Sequence, residues 1–445
     1  MRLLILTPEF GEARGGLAAF YRHLVPPLAG LGVEIHVIEG SAAHAGRAAP
    51  RVIDGAQVET LELDRLTRWN DRFAALAAAP GLRRHLAAAW AMWEQGGEGA
   101  WADVVEAADW GLAYVPPAVA ATRPLVVQGH GSIGQISVHD PLSGEEVQSA
   151  LCRLIEVAVL ARVPVLQTYS HLNADFWAAE TGRPVTMIRP AVPMPALTAP
   201  AEISDRGLVA GRIQRWKGPD VLCEALALMG ARAPTVDWLG RDTAYGRRDA
   251  STAAVMARAY PDIWGRRVLP APSVAPAEVT ARQAVARFNL VPSAWDVFNF
   301  TAVEAMASGR PAVVSTGAGA SELVTDGETG FVFENGNAAS LASALDRVIG
   351  SSEARLAAIG AAARETVRRE LDPMRIAEAR LAAYQAVIAD FAQTPPAPIG
   401  GWLGDICRPD AATADAGAFL DQFPIRTVAS HLASRLGEKL GARRS

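Results

Sequence analysis

Two carboxylates, Asp296 and Glu304, lie eight positions apart where a predicted strand gives way to a helix. A loop carries Asp296, and the helix is predicted to begin near Thr301 with Glu304 in its first turn. The backbone amides at this helix N-terminus would belong to Phe298, Asn299 and Phe300. Such amides favour oxygens and phosphates, while carboxylates accept from hydroxyls. The spacing indicates a polyhydroxylated ligand, although a helix capped by Asp296 with its dipole complemented by Glu304 fits it equally well.

Two cations, Arg212 and Lys217, follow another predicted strand in the segment GLVAGRIQRWKG. The strand ends at Gly211, Arg212 follows at its carboxyl end, and Lys217 lies just before the next helix. Two cations at the mouth of a sheet can neutralise a diphosphate and stabilise it as a leaving group. The alternative is a solvated pair of surface cations, which is the usual position of Arg and Lys.

The stretch Val291–Gly330 contains a longer pattern of acidic and small residues. An EAMA-x-G-x-P segment is followed by G-x-G-x-x-E, and the matching residues are Glu304, Ala305, Met306, Ala307, Gly309, Pro311, Gly317, Gly319, Glu322 and Asp326–Gly330. This pattern resembles the carboxyl-terminal domain of retaining GT-B glycosyltransferases of family four, whose signature is an acidic residue, seven residues, then Glu. Arg212 and Lys217 resemble that family's G-R-x-x-x-x-K-G diphosphate clamp, which Arg215 does not match.

The resemblance implies a role for each matching residue. Glu304 would hold the nucleotide ribose, Asp296 the donor-sugar hydroxyls, and the loop amides the sugar and phosphates. Arg212 and Lys217 would hold the diphosphate. The chain departs from the family at two positions, since Asp296 stands for the usual Glu and Asn299 for the usual Gly. These departures leave the identity of the donor sugar open.

Two features of the amino-terminal half resemble the family more sparsely. Gly15 and Gly16, between the first predicted strand and helix, resemble its glycine loop, where the backbone approaches the donor phosphates and the acceptor. A flexible surface turn is the alternative. His130, in the segment QGHGSIG, resembles the family's His-Gly at the cleft, which faces the donor sugar; a structural histidine is the alternative.

The segment around His130 also contains G-x-G-x-x-G, with two acidic residues downstream, so a dinucleotide-binding dehydrogenase is a formal alternative. The residues are Gly129, Gly131, Gly134, Glu145 and Glu146. A lone match of this kind is unspecific, and it does not follow the first strand of the chain. The glycosyltransferase prediction is therefore favoured.

These residues need parallel sheets to position them. In both halves, short β-type runs alternate with Ala/Leu-rich helical stretches, the pattern of parallel strands with crossover helices. Ligands in such sheets bind beyond the carboxyl ends of the strands. We therefore predict an α/β protein with the GT-B fold, in which two Rossmann-like domains face each other across a cleft.

The predicted boundaries follow this alternation. Strands are expected at Arg2–Thr7, Glu34–Glu39, Val104–Glu106, Leu125–Gln128, Val165–Thr168, Leu208–Ala210, Thr235–Leu239, Ala286–Val291 and Pro311–Ser315. Residues 1–189 would form the acceptor domain and 203–375 the nucleotide-sugar domain, joined by a Pro-rich linker at 190–202. By resemblance, 376–392 would be a helix that crosses back to the first domain. The tail, 393–445, matches nothing that we can name.

Composition fits a two-domain α/β protein. The chain has 445 residues, 50% of them hydrophobic and 20% charged, and its net charge of −5 provides no overall field for nucleic acid. Its three cysteines are too few and too dispersed to predict disulfides. No long apolar run lacks a charge, and MRLLILTPEF is typical of a buried strand rather than a signal peptide. We expect a cytoplasmic protein and leave peripheral membrane association open.

By resemblance, the chain would be a retaining hexosyltransferase that moves a sugar from a nucleotide diphosphate to an unidentified acceptor hydroxyl. We expect a UDP-sugar, with guanosine and adenosine open, and no further cofactor. No metal is expected, since no Asp-x-Asp lies near the motifs and Arg212 with Lys217 can balance the charge. The alternatives are a nucleotide-sugar-binding pseudo-enzyme that partners an active transferase, and another GT-B chemistry such as epimerisation or phosphorolysis. Homo-oligomerisation stays open.

The tail ends in a predicted amphipathic helix. Its apolar stripe would consist of Val428, Leu432, Leu436 and Leu440, and its cations of Arg426, Arg435, Lys439, Arg443 and Arg444. An interfacial anchor beside a lipid-linked acceptor is one interpretation. The stripe is narrow and has no aromatic residue, which favours packing on this subunit or on a second copy.

Overall fold

The chain folds into two compact units, each with its own parallel sheet. The computed structural model describes residues 1–11, 15–46, 49–142, 145–196, 202–409 and 424–441. The first unit comprises Met1–Thr168, Ala174–Ile188 and Met374–Ser445, and the second comprises Tyr169–Asn173 and Arg189–Pro373. The predicted α/β class is confirmed. Part of the predicted linker, residues 197–201, lies outside the described residues.

The sheet of the first unit has eight strands in the order β3-β4-β2-β1-β5-β6-β7-β8. They are β1 (Arg2–Thr7), β2 (Glu34–Glu39), β3 (Arg51–Ile53), β4 (Ala56–Thr60), β5 (Val104–Ala108), β6 (Leu125–Gln128), β7 (Val165–Thr168) and β8 (Thr186–Met187). Neighbouring strands are parallel except for β3 and β4. The five strands predicted in this half are confirmed, whereas β3, β4 and β8, which lie towards the sheet edges, were not predicted.

Helices cover this sheet and extend into the tail. They are α1 (Gly16–Gly30), α2 (Leu63–Arg72), α3 (Pro80–Gln95), α4 (Val115–Ala120), α5 (Ile133–His139), α6 (Glu146–Leu160) and α7 (His171–Thr181). The helices of the second unit are α8 (Pro219–Met229), α9 (Thr252–Ala259), α10 (Pro276–Val285), α11 (Phe300–Ala307), α12 (Ala338–Gly350) and α13 (Glu353–Glu370). The last three helices are α14 (Pro373–Gln393), α15 (Gly401–Cys407) and α16 (Ile425–Gly441).

One buried ion pair attaches α14 to the sheet of the first unit. Arg380 is 1% exposed and lies 2.6 Å from Glu106 of β5, which is 0% exposed. Tyr384, one turn further along α14, donates to the same Glu106 oxygen at 2.5 Å. Arg380 also donates to the side-chain oxygens of Gln128 and Gln167 at the ends of β6 and β7. Because two buried charges are stable only when they satisfy each other, this contact fixes α14 to three neighbouring strands.

The sheet of the second unit is entirely parallel, in the order β13-β10-β9-β14-β15-β16. Its strands are β9 (Gly207–Ala210), β10 (Val236–Leu239), β13 (Val268–Ala271), β14 (Phe288–Val291), β15 (Ala312–Ser315) and β16 (Phe331–Phe333), and a separate hairpin is formed by β11 (Ala244–Tyr245) and β12 (Arg247–Ser251). The four strands predicted in this half are confirmed. Strands β13 and β16 were not predicted. β13 is an edge strand that contains Pro270, and proline is excluded from central strands.

The terminal helix α16 packs with a different face from the one predicted. His431 is buried, and Arg435 donates to the carbonyls of Ala77 and Ala78. Two members of the apolar stripe instead face outward, since Leu432 is 53% exposed and Leu436 is 60% exposed, whereas Val428 is half-buried. The side chains of Lys439 and Leu440 lie outside the described residues. The predicted packing of Leu432 and Leu436 on the same subunit is therefore wrong, whereas packing on a second copy stays a prediction. The buried face of α16 is polar and matches backbone carbonyls. Arg443 and Arg444 lie outside the described residues, as do 410–423.

Candidate functional site

The acidic motif spans the carboxyl end of β14 and the start of α11. Asp296 lies on the connecting loop, and α11 begins at Phe300. Glu304 is thus the fifth residue of the helix and half-buried, in the second turn rather than the predicted first. Asn299, not Asp296, caps the helix, since its side-chain oxygen accepts from the amide of Ala302 at 3.0 Å. The capping alternative for Asp296 is therefore wrong.

Lys217 and Asp296 form an ion pair. The ammonium of Lys217 lies 2.8 and 2.7 Å from the two oxygens of Asp296, and both side chains are largely buried. Lys217 ends a short helical turn that follows β9. Gly218 comes next, with φ +71°, and a Cβ atom there would lie 2.0 Å from the carbonyl oxygen of Pro292. Gly218, the glycine of the predicted clamp, is thus required for the loop to pass the end of β14.

The G-x-G segment, Gly317–Gly319, holds the loop that carries Asp296 in place. The amide of Asp296 donates to the carbonyl of Gly317, and the amide of Gly319 donates to the carbonyl of Asp296. A Cβ atom at Gly317 would lie 2.4 Å from the carbonyl oxygen of Ala294, and one at Gly319 would lie 2.3 Å from that of Val297. Both glycines are therefore needed for the two backbones to pair this closely.

An aromatic pair lies beside the cations. Trp216 and Trp295 are buried with ring centroids 4.8 Å apart. The exposed guanidinium of Arg212 lies 6.0 Å from the Trp216 ring, and the Lys217 ammonium 5.7 Å from it. The two cations thus flank one indole. Trp238 is also fully buried and donates to Gly211, so all three tryptophans near the motifs pack in the core.

The loop amides predicted to bind the donor are positioned by aromatic packing. Phe298 is buried, and Phe300 is half-buried at the first position of α11. Their rings lie 5.8 Å apart, and each is 6.2 Å from the ring of Tyr169. The second unit thus brings together Lys217, Asp296 and Asn299 at the start of α11, with Arg212 beside Lys217 and Glu304 one turn into the helix.

In the first unit, two buried carboxylates hold the loop that carries His130. The amides of His130 and Gly131 donate to the two oxygens of Asp109 at 2.9 and 3.1 Å. Glu156 of α6 accepts from the Ser132 hydroxyl at 2.7 Å and from the Gly134 amide at 3.0 Å. Asp109 and Glu156 are both 0% exposed. Neither carboxylate was predicted as a site residue, because the only local signal is that Asp109 follows a strand.

Burial shapes the electrostatics of this loop. It raises the pKa of Asp109 to about 7 and that of Glu156 to about 7, although the hydrogen bonds they accept oppose the shift. Burial, followed by the nearby charge of Arg380, lowers the pKa of His130 well below its usual value. The His130 ring packs 5.1 Å from Phe20 and 5.5 Å from Tyr21. His130 is therefore neutral at physiological pH.

The predicted glycine loop lies at the start of α1. Gly15 is the N-cap of the helix and Gly16 its first residue. A Cβ atom at Gly15 would lie 2.3 Å from a carboxylate oxygen of Glu9. Residues 12–14, just before them, lie outside the described residues.

The described residues contain no group of three or more His, Cys, Asp or Glu side chains arranged to hold a metal ion. In the same ranges, no helix has the length and apolar character needed to cross a bilayer.

The second unit matches a known family. The model of the family described as glycosyl transferases group 1 matches residues 205–351, which include Arg212, Lys217, Asp296 and Glu304. Residues 205–351 thus carry the domain of the group 1 glycosyltransferases. The predicted family resemblance is thereby confirmed.

Curated relatives share parts of the chain. The D-inositol 3-phosphate glycosyltransferase of Arthrobacter sp. (strain FB24) is 33% identical over 187 residues, 40% of this chain and 43% of that relative. The chain thus spans less than half the length of this relative. The enzyme of the same name from Frankia alni is 28% identical over 373 residues, which cover 77% of this chain and 87% of that relative.

Solved structures resemble the chain over most of its length. A sucrose-phosphate synthase from Thermosynechococcus elongatus has a TM-score of 0.67 at 18% identity, over 87% of this chain and all of that one. Anabaena HepE in complex with UDP-glucose has a TM-score of 0.62 at 19% identity, with the same coverage. These likenesses confirm the predicted GT-B fold.

Proposed function

We propose that this chain is a retaining glycosyltransferase that takes its sugar from a nucleotide diphosphate and needs no metal ion. The observation that carries the proposal is the cluster at the start of α11. There Lys217 and Asp296 form an ion pair 2.7 Å long, beside Arg212 and the helix N-terminus. Cations and a helix N-terminus suit a diphosphate, and a carboxylate suits sugar hydroxyls.

Each residue of the cluster has a place in the proposed reaction. Arg212 and Lys217 bind the diphosphate and stabilise its negative charge as it leaves the sugar. An ammonium has three N–H donors, so Lys217 can reach a phosphate oxygen while it still pairs with Asp296. Asp296 accepts from the donor sugar, and Glu304 accepts from the ribose hydroxyls. The amides of residues 298–300 donate to the sugar and phosphates.

The proposed transfer proceeds on one face of the sugar. The bond between the anomeric carbon and the phosphate oxygen breaks, and the acceptor oxygen forms its bond to the same face. The acceptor proton passes to the departing diphosphate. No carboxylate nucleophile is invoked, and the two cations supply the charge that a metal ion supplies in other transferases. Retention of the anomeric configuration follows from attack on the face that the leaving group vacates.

Residues of the first unit complete the proposal. We assign His130 to the donor sugar and Gly15 with Gly16 to the close backbone approach, as the family resemblance implies. A neutral His130 can donate or accept a hydrogen bond without adding charge to the sugar site. The donor is proposed as a UDP-sugar, in line with the UDP-glucose bound to HepE. The acceptor is an unidentified hydroxyl compound, and the cytoplasm is the proposed location.

The test is turnover with an acceptor panel that includes D-inositol 3-phosphate, the compound in the names of the curated relatives. With its donor, the enzyme should release nucleoside diphosphate, retain activity in EDTA, and give a product whose anomeric configuration by NMR matches the donor. An inverted product would contradict the proposed mechanism. Loss of activity in EDTA that added metal restores would contradict metal independence.

A pseudo-enzyme is the second candidate, because Asp296 and Asn299 depart from the family pattern in the cluster itself. A pseudo-enzyme would bind the nucleotide sugar but release no nucleoside diphosphate, either with an acceptor or by hydrolysis. The same release assay therefore separates the two functions. Inorganic phosphate as acceptor tests for phosphorolysis.

A further inference from the structure

The side chain of Asn299 uses part of the hydrogen-bonding capacity of the Asp296 carboxylate. Its side-chain nitrogen lies 2.8 Å from Oδ2 of Asp296, the same oxygen that accepts from Lys217 at 2.7 Å. Oδ1 accepts from Lys217 at 2.8 Å. Each carboxylate oxygen offers about two lone-pair sites. Both sites of Oδ2 are therefore used, and Oδ1 keeps one.

The orientation of the Asn299 amide is fixed by its neighbours. Its oxygen accepts from the Ala302 amide at 3.0 Å and from the Thr301 hydroxyl at 2.7 Å. The reversed orientation would place the NH₂ group against the Ala302 N–H and the oxygen against the Asp296 carboxylate. Both contacts would be repulsive, so the nitrogen must face Asp296.

The backbone at this position is unusual for a residue with a side chain. Asn299 has φ +83° and ψ 89°, in a region that favours glycine. Such conformations cost free energy and are concentrated at functional sites. Glycine would adopt this backbone without strain, and it is nearly as good an N-cap as asparagine. The cap therefore gives little reason for asparagine here.

We infer that Asn299 is a specificity-determining residue of the donor-sugar site, and this rests on the proposed function. By occupying Oδ2, it leaves Asp296 able to accept one sugar hydroxyl. The second N–H of its amide can donate beside that position. The site therefore selects donor sugars that present one hydroxyl to Asp296 and an oxygen acceptor, such as a hydroxyl oxygen or an acylamino carbonyl, to Asn299.

The experiment compares Asn299→Gly with Asn337→Gly. Asn337 is a matched control in the same unit: it caps α12 by accepting from Ser340 at 2.9 Å and donates to Glu334, three positions earlier, at 2.8 Å. Calorimetry measures the affinity of each protein for UDP-, GDP- and ADP-glucose, and then for the monodeoxy analogues of the nucleotide sugar that binds best. The corresponding bare diphosphate is the reference.

In the wild-type protein, removal of one hydroxyl should weaken binding by roughly tenfold, the scale of a hydrogen bond to a charged group. In Asn299→Gly, removal of a second hydroxyl should also weaken binding by roughly tenfold. The reason is that Oδ2 of Asp296 no longer accepts from Asn299 and can accept from that hydroxyl. Asn337→Gly should keep the wild-type profile. A second variant, Asn299→Asp, keeps the cap but sets two carboxylates side by side, and should weaken the sugar donor while sparing the bare diphosphate.

The outcomes separate the inference from the proposed function. If no nucleotide or nucleotide sugar binds the wild-type protein, the proposed function fails and the inference fails with it. If the donor binds but Asn299→Gly keeps the wild-type deoxy profile, only the inference is overturned. The same change of profile in Asn337→Gly would assign the effect to helix capping and also overturn it.

Discussion

The ammonium of Lys217 lies within 2.8 Å of both carboxylate oxygens of Asp296, a residue 79 positions away in the sequence. One residue follows β9 and the other follows β14, neighbouring strands of the sheet. A diphosphate that arrives at this end of the sheet meets a cation already positioned by Asp296. Binding must therefore share the Lys217 ammonium between the ligand and the carboxylate.

The first prediction concerns the clamp. Arg212→Ala and Lys217→Ala should each lower kcat by roughly two orders of magnitude or more, the scale for loss of one preorganised charge-stabilising group. Arg215→Ala is the control, because Arg215 lies in the same loop against Tyr245 and outside the clamp motif. Steady-state kinetics would disprove the assignment if Arg212→Ala or Lys217→Ala kept the activity of the control.

The second prediction separates the two acids. Glu304→Gln should weaken binding of the bare nucleoside diphosphate, because it removes an acceptor for the ribose. Asp296→Asn should spare the bare diphosphate and weaken the sugar donor. Calorimetry with both ligands measures the difference, and equal losses in the two variants would show that the roles are wrong.

The third prediction concerns the buried ion pair between α14 and β5. Arg380→Ala leaves the charge of Glu106 buried without its cation, which should lower the free energy of unfolding by about 3–5 kcal/mol. Arg368→Ala is the control, since Arg368 pairs with Glu365 at the surface and such pairs contribute about 0–1 kcal/mol. Urea denaturation measures both. Equal effects would contradict a structural role for Arg380.

The fourth prediction concerns pH. Burial raises the pKa of Glu156 from 4.5 to about 7, so between these values the folded protein binds more protons than the unfolded chain. The free energy of unfolding should therefore fall as pH rises from about 4.5 to about 7, and this contribution should level off above. Glu156→Gln removes the contribution. Its stability should decline less over this range than that of the wild type, and an identical slope in the two proteins would contradict the burial argument.

The fifth prediction concerns α16. Leu432→Ser combined with Leu436→Ser should change the free energy of unfolding of the single chain by no more than about 0.5 kcal/mol, because both side chains are exposed. Arg435→Ala should lower it, because the contacts with Ala77 and Ala78 are lost. Vesicle binding should stay negligible. Strong co-sedimentation with anionic vesicles that the double variant abolishes would instead identify a membrane anchor.

The sequence predicted the elements whose signals are local. Strands such as β1 and β14 are buried apolar runs, and the clamp and acid motifs lie at strand ends, so their place at the carboxyl edge of a sheet follows from the topology. Gly317 and Gly319 were recognisable as a motif, but their reason, close backbone pairing with the acid loop, needed the structure.

The rest depended on contacts between distant residues. Nothing local to Asp109 or Glu156 indicates that they accept the amides of the His130 loop. The outward face of Leu432 was mispredicted because periodicity identifies a stripe without identifying what covers it. Asn299 was recognised as a departure from the family, but its hydrogen bond to Asp296 requires the backbone conformation that the structure shows.

The central claim is that this chain binds a nucleotide-diphosphate sugar through the second unit. Calorimetry of the full chain with UDP, GDP, ADP and their glucose forms tests it most directly. We predict that at least one nucleotide sugar binds with one site per chain, and that Lys217→Ala weakens it by roughly tenfold or more. The account is contradicted if none of these ligands binds, or if Lys217→Ala binds as tightly as the wild type.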